Sequence, residues 1–155
     1  GEERGALEAL ARELNVADRV ILPGFMANPY PLMAAAVLFI LSSNSEGYPN
    51  ALIEGMAVGR PVISTNCNSG PSEILAGKPR SNINGLTFAE HGVLVPVGDA
   101  LAMAEAIRAL DEPRRRAEYG AKAEARAGAF SAAAIKDRYW DVLRGAMNAA
   151  QTRLR

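Results

Sequence analysis

Short β-forming runs alternate with helix-forming stretches along this chain, and that alternation restricts the fold more than any other feature. The runs are RVILPG (Val20 to Leu22 at its centre), VLFIL (Val37 to Leu41), PVIST (Pro61 to Thr65) and GVLVPV (Gly92 to Val97). VLFIL is apolar throughout, the pattern of a strand covered on both faces. A stripe of Ala6, Leu7, Leu10, Ala11 and Leu14 predicts a helix over 2–14. A short helix is expected from near Tyr30, and another over Pro49–Val58 with Gly59 placed to end it. A loop rich in Gly, Asn, Ser and Pro, with a short helix inside it, fills 66–91. Asp99 is placed to cap a helix whose stripe is Leu101, Ala104, Ile107 and Leu110. Pro113 suits the first turn of a helix reaching Ala127. Ser131 would cap a last helix, with Phe130 and Ile135 in staple positions and Ile135, Tyr139, Val142 and Ala146 on its buried face. Strands that alternate with helices predict an α/β fold with a parallel sheet flanked by helices.

The 155 residues suffice for one domain with a real core, expected over 1–147 with a tail over 148–155. Lys plus Arg and Asp plus Glu both number 17, so bulk electrostatics gives no reason to expect nucleic acid. Cys67 is the single cysteine, which excludes a disulfide within the chain. Four strands are few for a doubly wound sheet, and the chain opens on Gly1 rather than Met. Further chain before Gly1 is therefore expected.

Open parallel sheets bind ligands beyond the carboxyl ends of their strands. The loop after VLFIL holds Glu46; the loop after PVIST holds Gly70, Pro71, Ser72 and Glu73. Both feed helices, whose amino ends carry free N–H groups and partial positive charge, a setting suited to phosphate. Carboxylates there would be repelled by phosphate unless they face hydroxyls, which they bind strongly. Glu46 precedes the helix and Glu54 lies at least a turn inside it, so the two could hold the ends of a ligand with phosphates between them. A nucleotide-sugar has that layout. The spacing alone suits equally a loop charge and a solvated helix residue.

Other chemistry is unsupported. The chain contains no G-x-G-x-x-G, no P-loop and no Asp-x-Asp pair. His91 is the lone histidine and reads as a loop residue before the last strand. Cys67 reads as a small loop residue, and Arg114, Arg115 and Arg116 as a solvated helix start.

SEGYPNALIEGMAVGRPVIST (Ser45 to Thr65) resembles the nucleotide-sugar signature of family 4 retaining glycosyltransferases, which have the GT-B fold. RVILPGF (Arg19 to Phe25), GPSEIL (Gly70 to Leu75) and GVLVPVGD (Gly92 to Asp99) resemble neighbouring blocks of that family, in order. The resemblance implies the Rossmann-like, carboxy-terminal, donor-binding half of such an enzyme. Glu46 would bind hydroxyls of the transferred sugar and is the candidate catalytic residue. Gly47 lies in the same loop, and Tyr48, Asn50 and Ala51 would offer backbone N–H groups to sugar and phosphate. Glu54 would bind the ribose, Phe25 and Met26 would flank the base, and the loop of Gly70 and Pro71 would shape the pocket. No metal and no cofactor are implied; the nucleotide-diphospho-sugar is the substrate.

The same resemblance implies an acceptor (a glycan, a lipid-linked sugar or a small molecule) held by an amino-terminal domain, and a cytoplasmic location, at the membrane face through that domain. The Arg and Lys that clamp the diphosphate in the family would also precede Gly1. The 155 residues alone are accordingly expected to be inactive. Many members carry Gly where this chain has Pro49, which lacks an N–H. A GT-B-type nucleotide-sugar epimerase and a non-catalytic nucleotide-sugar-binding module are the competing readings.

Overall fold

The computed structural model of the protein describes residues 2–153, with side chains described to Met147. In chain order the helices are α1 (Arg4–Glu13), α2 (Tyr30–Ala35), α3 (Asn50–Ala57), α4 (Pro71–Ala76), α5 (Ala100–Ala109), α6 (Pro113–Ala127) and α7 (Ala132–Arg153). The strands are β1 (Phe39–Leu41), β2 (Val62–Thr65), β3 (Thr87–Phe88) and β4 (Val93–Val95), in the sheet order β1-β2-β4-β3. β2 runs parallel to β1 and to β4, with Ile40 opposite Ile63 and Ser64 opposite Leu94. β3 pairs antiparallel with β4, Thr87 opposite Leu94.

Side chains of a strand alternate between the sheet's faces, and both faces are covered here. Val62 and Leu94 point into a core with Leu52 and Met56 of α3, Ile74 and Leu75 of α4, and Ala123 and Ala127 of α6. Ile63, Val93 and Val95 point the other way, against Ala102 and Ala106 of α5, Leu110 and Tyr119. β2 is buried along its whole length, as a central strand must be. Gly55 lets α3 lie directly on β1, since a Cβ there would come within 2.6 Å of the Phe39 ring.

Several sequence expectations are corrected. Val20–Leu22 forms no strand: it pairs with nothing among the described residues, and Ile21 is 84% exposed. β-branched residues favour a strand, but a ladder needs a neighbour. The fourth strand is instead β3, inside the long loop, so the sheet is mixed rather than wholly parallel. Two residues are too few for period-2 alternation to show.

The buried line of α5 is Ala102 and Ala106, continued by Leu110 at its carboxyl cap, while Leu101 is 82% exposed. Small alanines let the helix approach the sheet closely, and a pattern weighted by large apolar side chains picks the neighbouring stripe. Of the α1 stripe only Ala11 is buried. Ile135, Tyr139, Val142 and Ala146 of α7 are exposed, because nothing among the described residues covers that face. No helix among the described residues is long and apolar enough to cross a membrane.

Candidate functional site

β1 and β2 end side by side, and their parallel pairing continues past the strands in a bridge between Ser45 and Asn68. The two carboxyl-edge loops are thereby held together. The buried Thr65, last residue of β2, donates its hydroxyl to the Ser43 carbonyl. The Ser43 hydroxyl in turn donates to Glu46 Oε1 at 2.6 Å. Among the described residues Glu46 Oε2 has no hydrogen-bond partner.

The chain then enters α3 through Pro49. That end carries no side-chain cap. The Asn50 N–H donates to the Tyr48 carbonyl at 2.9 Å, while those of Leu52 and Ile53 reach the Pro49 carbonyl. The Ala51 N–H donates to no group among the described residues. Asn50 therefore has its backbone donor engaged, and Ala51 does not. A turn further on, the half-buried Glu54 accepts from the Tyr30 phenol at 3.3 Å through Oε1, again leaving Oε2 without a partner among the described residues.

The second loop seats directly against this helix start. Gly70 has φ +103, and a Cβ on it would stand 2.3 Å from Pro49 Cδ. Gly70 and the buried Pro71 are thus brought beside the start of α3. The amino end of α4 differs from that of α3. Glu73 Oε2 accepts from the Gly70 N–H and from the Ser72 hydroxyl, both at 3.0 Å. A carboxylate occupying that end repels anions, so of the two helix starts α3 is the open one.

Beside Glu54 lies an open cleft of about 520 Å³, lined by Tyr48, Asn50, Ile53, Glu54, Phe130 and Ile135. Tyr48 meets Phe130 edge-on at 6.5 Å, and the Arg126 guanidinium lies 5.0 Å over the same ring. Phe25, 95% exposed, and Met26 stand on the segment leading to α2. Phe25 borders a different hollow, with Leu7, Leu22 and Pro23, and neither residue lines the Glu54 cleft. A further hollow of about 400 Å³ between α1 and Val20–Leu22 contains none of the residues singled out from the sequence as site residues.

Burial pushes the Cys67 thiol above its ordinary value; a hydrogen bond with Thr65 opposes that and the Glu46 charge reinforces it. His91 lies at the amino end of β4, the edge opposite these loops. Among the described residues, no three His, Cys, Asp or Glu side chains are grouped to hold a metal ion.

Ser43, Tyr30 and Phe130 were not singled out as site residues by the sequence. Ser43 is one of several hydroxyls in its loop; Tyr30 is distant in the chain from the Glu54 carboxylate it meets, and Phe130 from the cleft it lines. Only the folded arrangement distinguishes them.

The profile of the family described as glycosyl transferases group 1 matches residues 1–112. The lipopolysaccharide core biosynthesis glycosyltransferase LpsE of Rhizobium meliloti is 35% identical over 147 residues, covering 92% of this chain and 39% of that protein. The N-acetylgalactosamine-N,N'-diacetylbacillosaminyl-diphospho-undecaprenol 4-alpha-N-acetylgalactosaminyltransferase of Campylobacter jejuni is 34% identical over 131 residues, covering 84% of this chain and 33% of that protein. The crystal structure of Anabaena Alr3699/HepE in complex with UDP matches with a TM-score of 0.77 over 93% of this chain and 38% of that one. At 23% identity that is a likeness of fold. The chain spans less than two fifths of the length of these proteins.

Proposed function

The chain belongs to the group 1 glycosyl transferases and has the α/β fold of GT-B enzymes, and we propose that it is the carboxy-terminal, donor-binding half of a family 4 retaining glycosyltransferase. One observation carries this reading. Glu46 and Glu54 flank the uncapped start of α3, and each has one carboxylate oxygen held by a hydroxyl and the other without a partner among the described residues.

A nucleotide-diphospho-sugar would lie across that helix start. Glu46 Oε2 would accept from hydroxyls of the sugar, and Glu54 Oε2 from the ribose. The diphosphate would meet the Ala51 N–H and the positive end of α3, with Gly47 and Tyr48 lining its path. Asn50 would contribute its side-chain amide, since its N–H is engaged. Gly70 and Pro71 would wall the pocket, and Phe25 and Met26 would flank the base.

In transfer, the bond from the anomeric carbon to the diphosphate oxygen breaks and a bond to the acceptor oxygen forms, with retention, while the acceptor's hydroxyl proton passes to the leaving diphosphate. Charge grows on the leaving diphosphate, and preorganised N–H dipoles and cations stabilise it best. The reading is metal-independent; the lack of an Asp-x-Asp pair in the sequence supports that. It also includes an amino-terminal domain for the acceptor and a cytoplasmic location at the membrane face. The relatives, a lipopolysaccharide core glycosyltransferase and a transferase named for a diphospho-undecaprenol-linked sugar, favour a glycan or lipid-linked acceptor.

Calorimetric titration with UDP and UDP-glucose tests the division of labour. Glu54→Ala should weaken both ligands by about 1.5–3 kcal/mol, the scale of a hydrogen bond to a charged group. Glu46→Ala should weaken UDP-glucose alone. Equal losses of UDP in the two variants contradict the assignment, and a loss of donor binding on adding EDTA contradicts metal-independence.

A further inference from the structure

Resting on that reading of Glu46, we propose that Ser43 is the positioning residue of the sugar-binding carboxylate. A glutamate in a loop has several rotatable bonds, and a ligand that must order it binds less tightly than one that finds it ordered. Here the order is built in. Ser43 Oγ donates to Glu46 Oε1 at 2.6 Å, the short distance of a charge-assisted bond. That bond fixes which oxygen is left for a ligand.

Ser43 is itself fixed from the core. Its carbonyl accepts the hydroxyl of Thr65, which is 4% exposed at the end of the central strand. Downstream of Ser43 the same loop is pinned by the bridge between Ser45 and Asn68. The position of the Glu46 carboxylate is thus transmitted from β2 through two side-chain hydroxyls. Ser43 would touch neither sugar nor phosphate; it acts through Glu46.

The test titrates the chain calorimetrically with UDP-glucose and with UDP, and with GDP-mannose and GDP in parallel, following the tighter nucleotide-sugar. Ser43→Ala should weaken that nucleotide-sugar about five- to tenfold, the range of one hydrogen bond, and leave its sugar-free nucleotide unchanged. Ser43→Thr, which keeps the hydroxyl, should restore the affinity. Because both residues act through one carboxylate, Ser43→Ala combined with Glu46→Ala should bind no more weakly than Glu46→Ala alone.

Wild-type affinity in Ser43→Ala, beside a loss in Glu46→Ala, overturns the inference and leaves the site reading standing. Additive losses in the double variant overturn it too. An equal loss of the sugar-free nucleotide in Ser43→Ala overturns it by showing general damage to the loop. No effect of Glu46→Ala, or no binding of either nucleotide-sugar, overturns the site reading and this inference with it.

Discussion

Pro49 replaces an N–H at the mouth of the site with a ring, and the structure gives that ring a use. It fills the space that a Cβ on Gly70 would occupy, and its carbonyl takes the N–H groups of Leu52 and Ile53. Gly70→Ala therefore meets two obstacles, the positive φ and the ring. We predict a loss of at least about 1–3 kcal/mol, the cost of such backbone strain, read from urea unfolding. An unchanged midpoint would show that the two loops are not seated on each other. Cys67 gives a second prediction at this scale. Burial holds its thiol protonated beyond its ordinary range, so the unfolded chain ionises first as pH rises. Stability should fall as pH climbs through that ordinary range, and the fall should be smaller in Cys67→Ala. The folded thiol should also react slowly with iodoacetamide at mildly alkaline pH, and rapidly once urea unfolds the chain. Glu46 and Glu54 were legible as candidates because ionised side chains at a ligand edge need hydroxyl or cationic partners. Ser43 and Tyr30 were not, since neutral hydroxyls are common in loops and gain meaning only from what folding sets beside them.

Elements whose ends carry their own chemistry were read well. Asp99 accepts from the Ala102 N–H at 2.9 Å, Pro113 opens α6, and the Ser131 hydroxyl accepts from the Ala134 N–H. Asp99→Ala should cost about 1 kcal/mol, the usual value of such a cap; no change in the urea midpoint would mean that the cap is not stabilising α5. The β1, β2 and β4 regions were also legible from their short apolar runs, but only β2 and β4 are buried throughout: β1 lies at the sheet's edge with Ile40 38% exposed, so the expected cover on both of its faces is not found. Elements defined by a partner were not. Val20–Leu22 has the composition of a strand without a ladder, and β3 has a ladder without the composition. The orientation of α5 was misread because alanines, rather than the larger side chains, face the sheet. Leu110→Ala should cost about 2–5 kcal/mol as a cavity in the core. Leu101→Ala should stay within about 0.5 kcal/mol, as exposed substitutions do. Comparable losses in the two variants would contradict the observed orientation of the helix.

Across the whole molecule, two apolar layers sandwich the sheet and leave its carboxyl edge free for loops. The edge assignment could be made from strand–helix alternation, since parallel connections place those loops together. The resemblance to a known family is what suggested roles for particular residues, which the calorimetric titrations test. The geometry between the two glutamates, with one open helix start and one closed by Glu73, required the fold. In the proposed complex a nucleotide-sugar lies across the start of α3 from Glu46 to Glu54. Backbone amide shifts recorded while UDP and then UDP-glucose, and in parallel GDP and then GDP-mannose, are titrated into the chain test this placement. The sugar-free nucleotide of the tighter pair should move Ala51 and Glu54 most, and its nucleotide-sugar should add large shifts at Glu46 and Gly47. Shifts centred on His91 at the opposite edge, or on Arg4, Glu8 and Leu22 around the α1 hollow, with Ala51 and Glu54 unmoved, would contradict it.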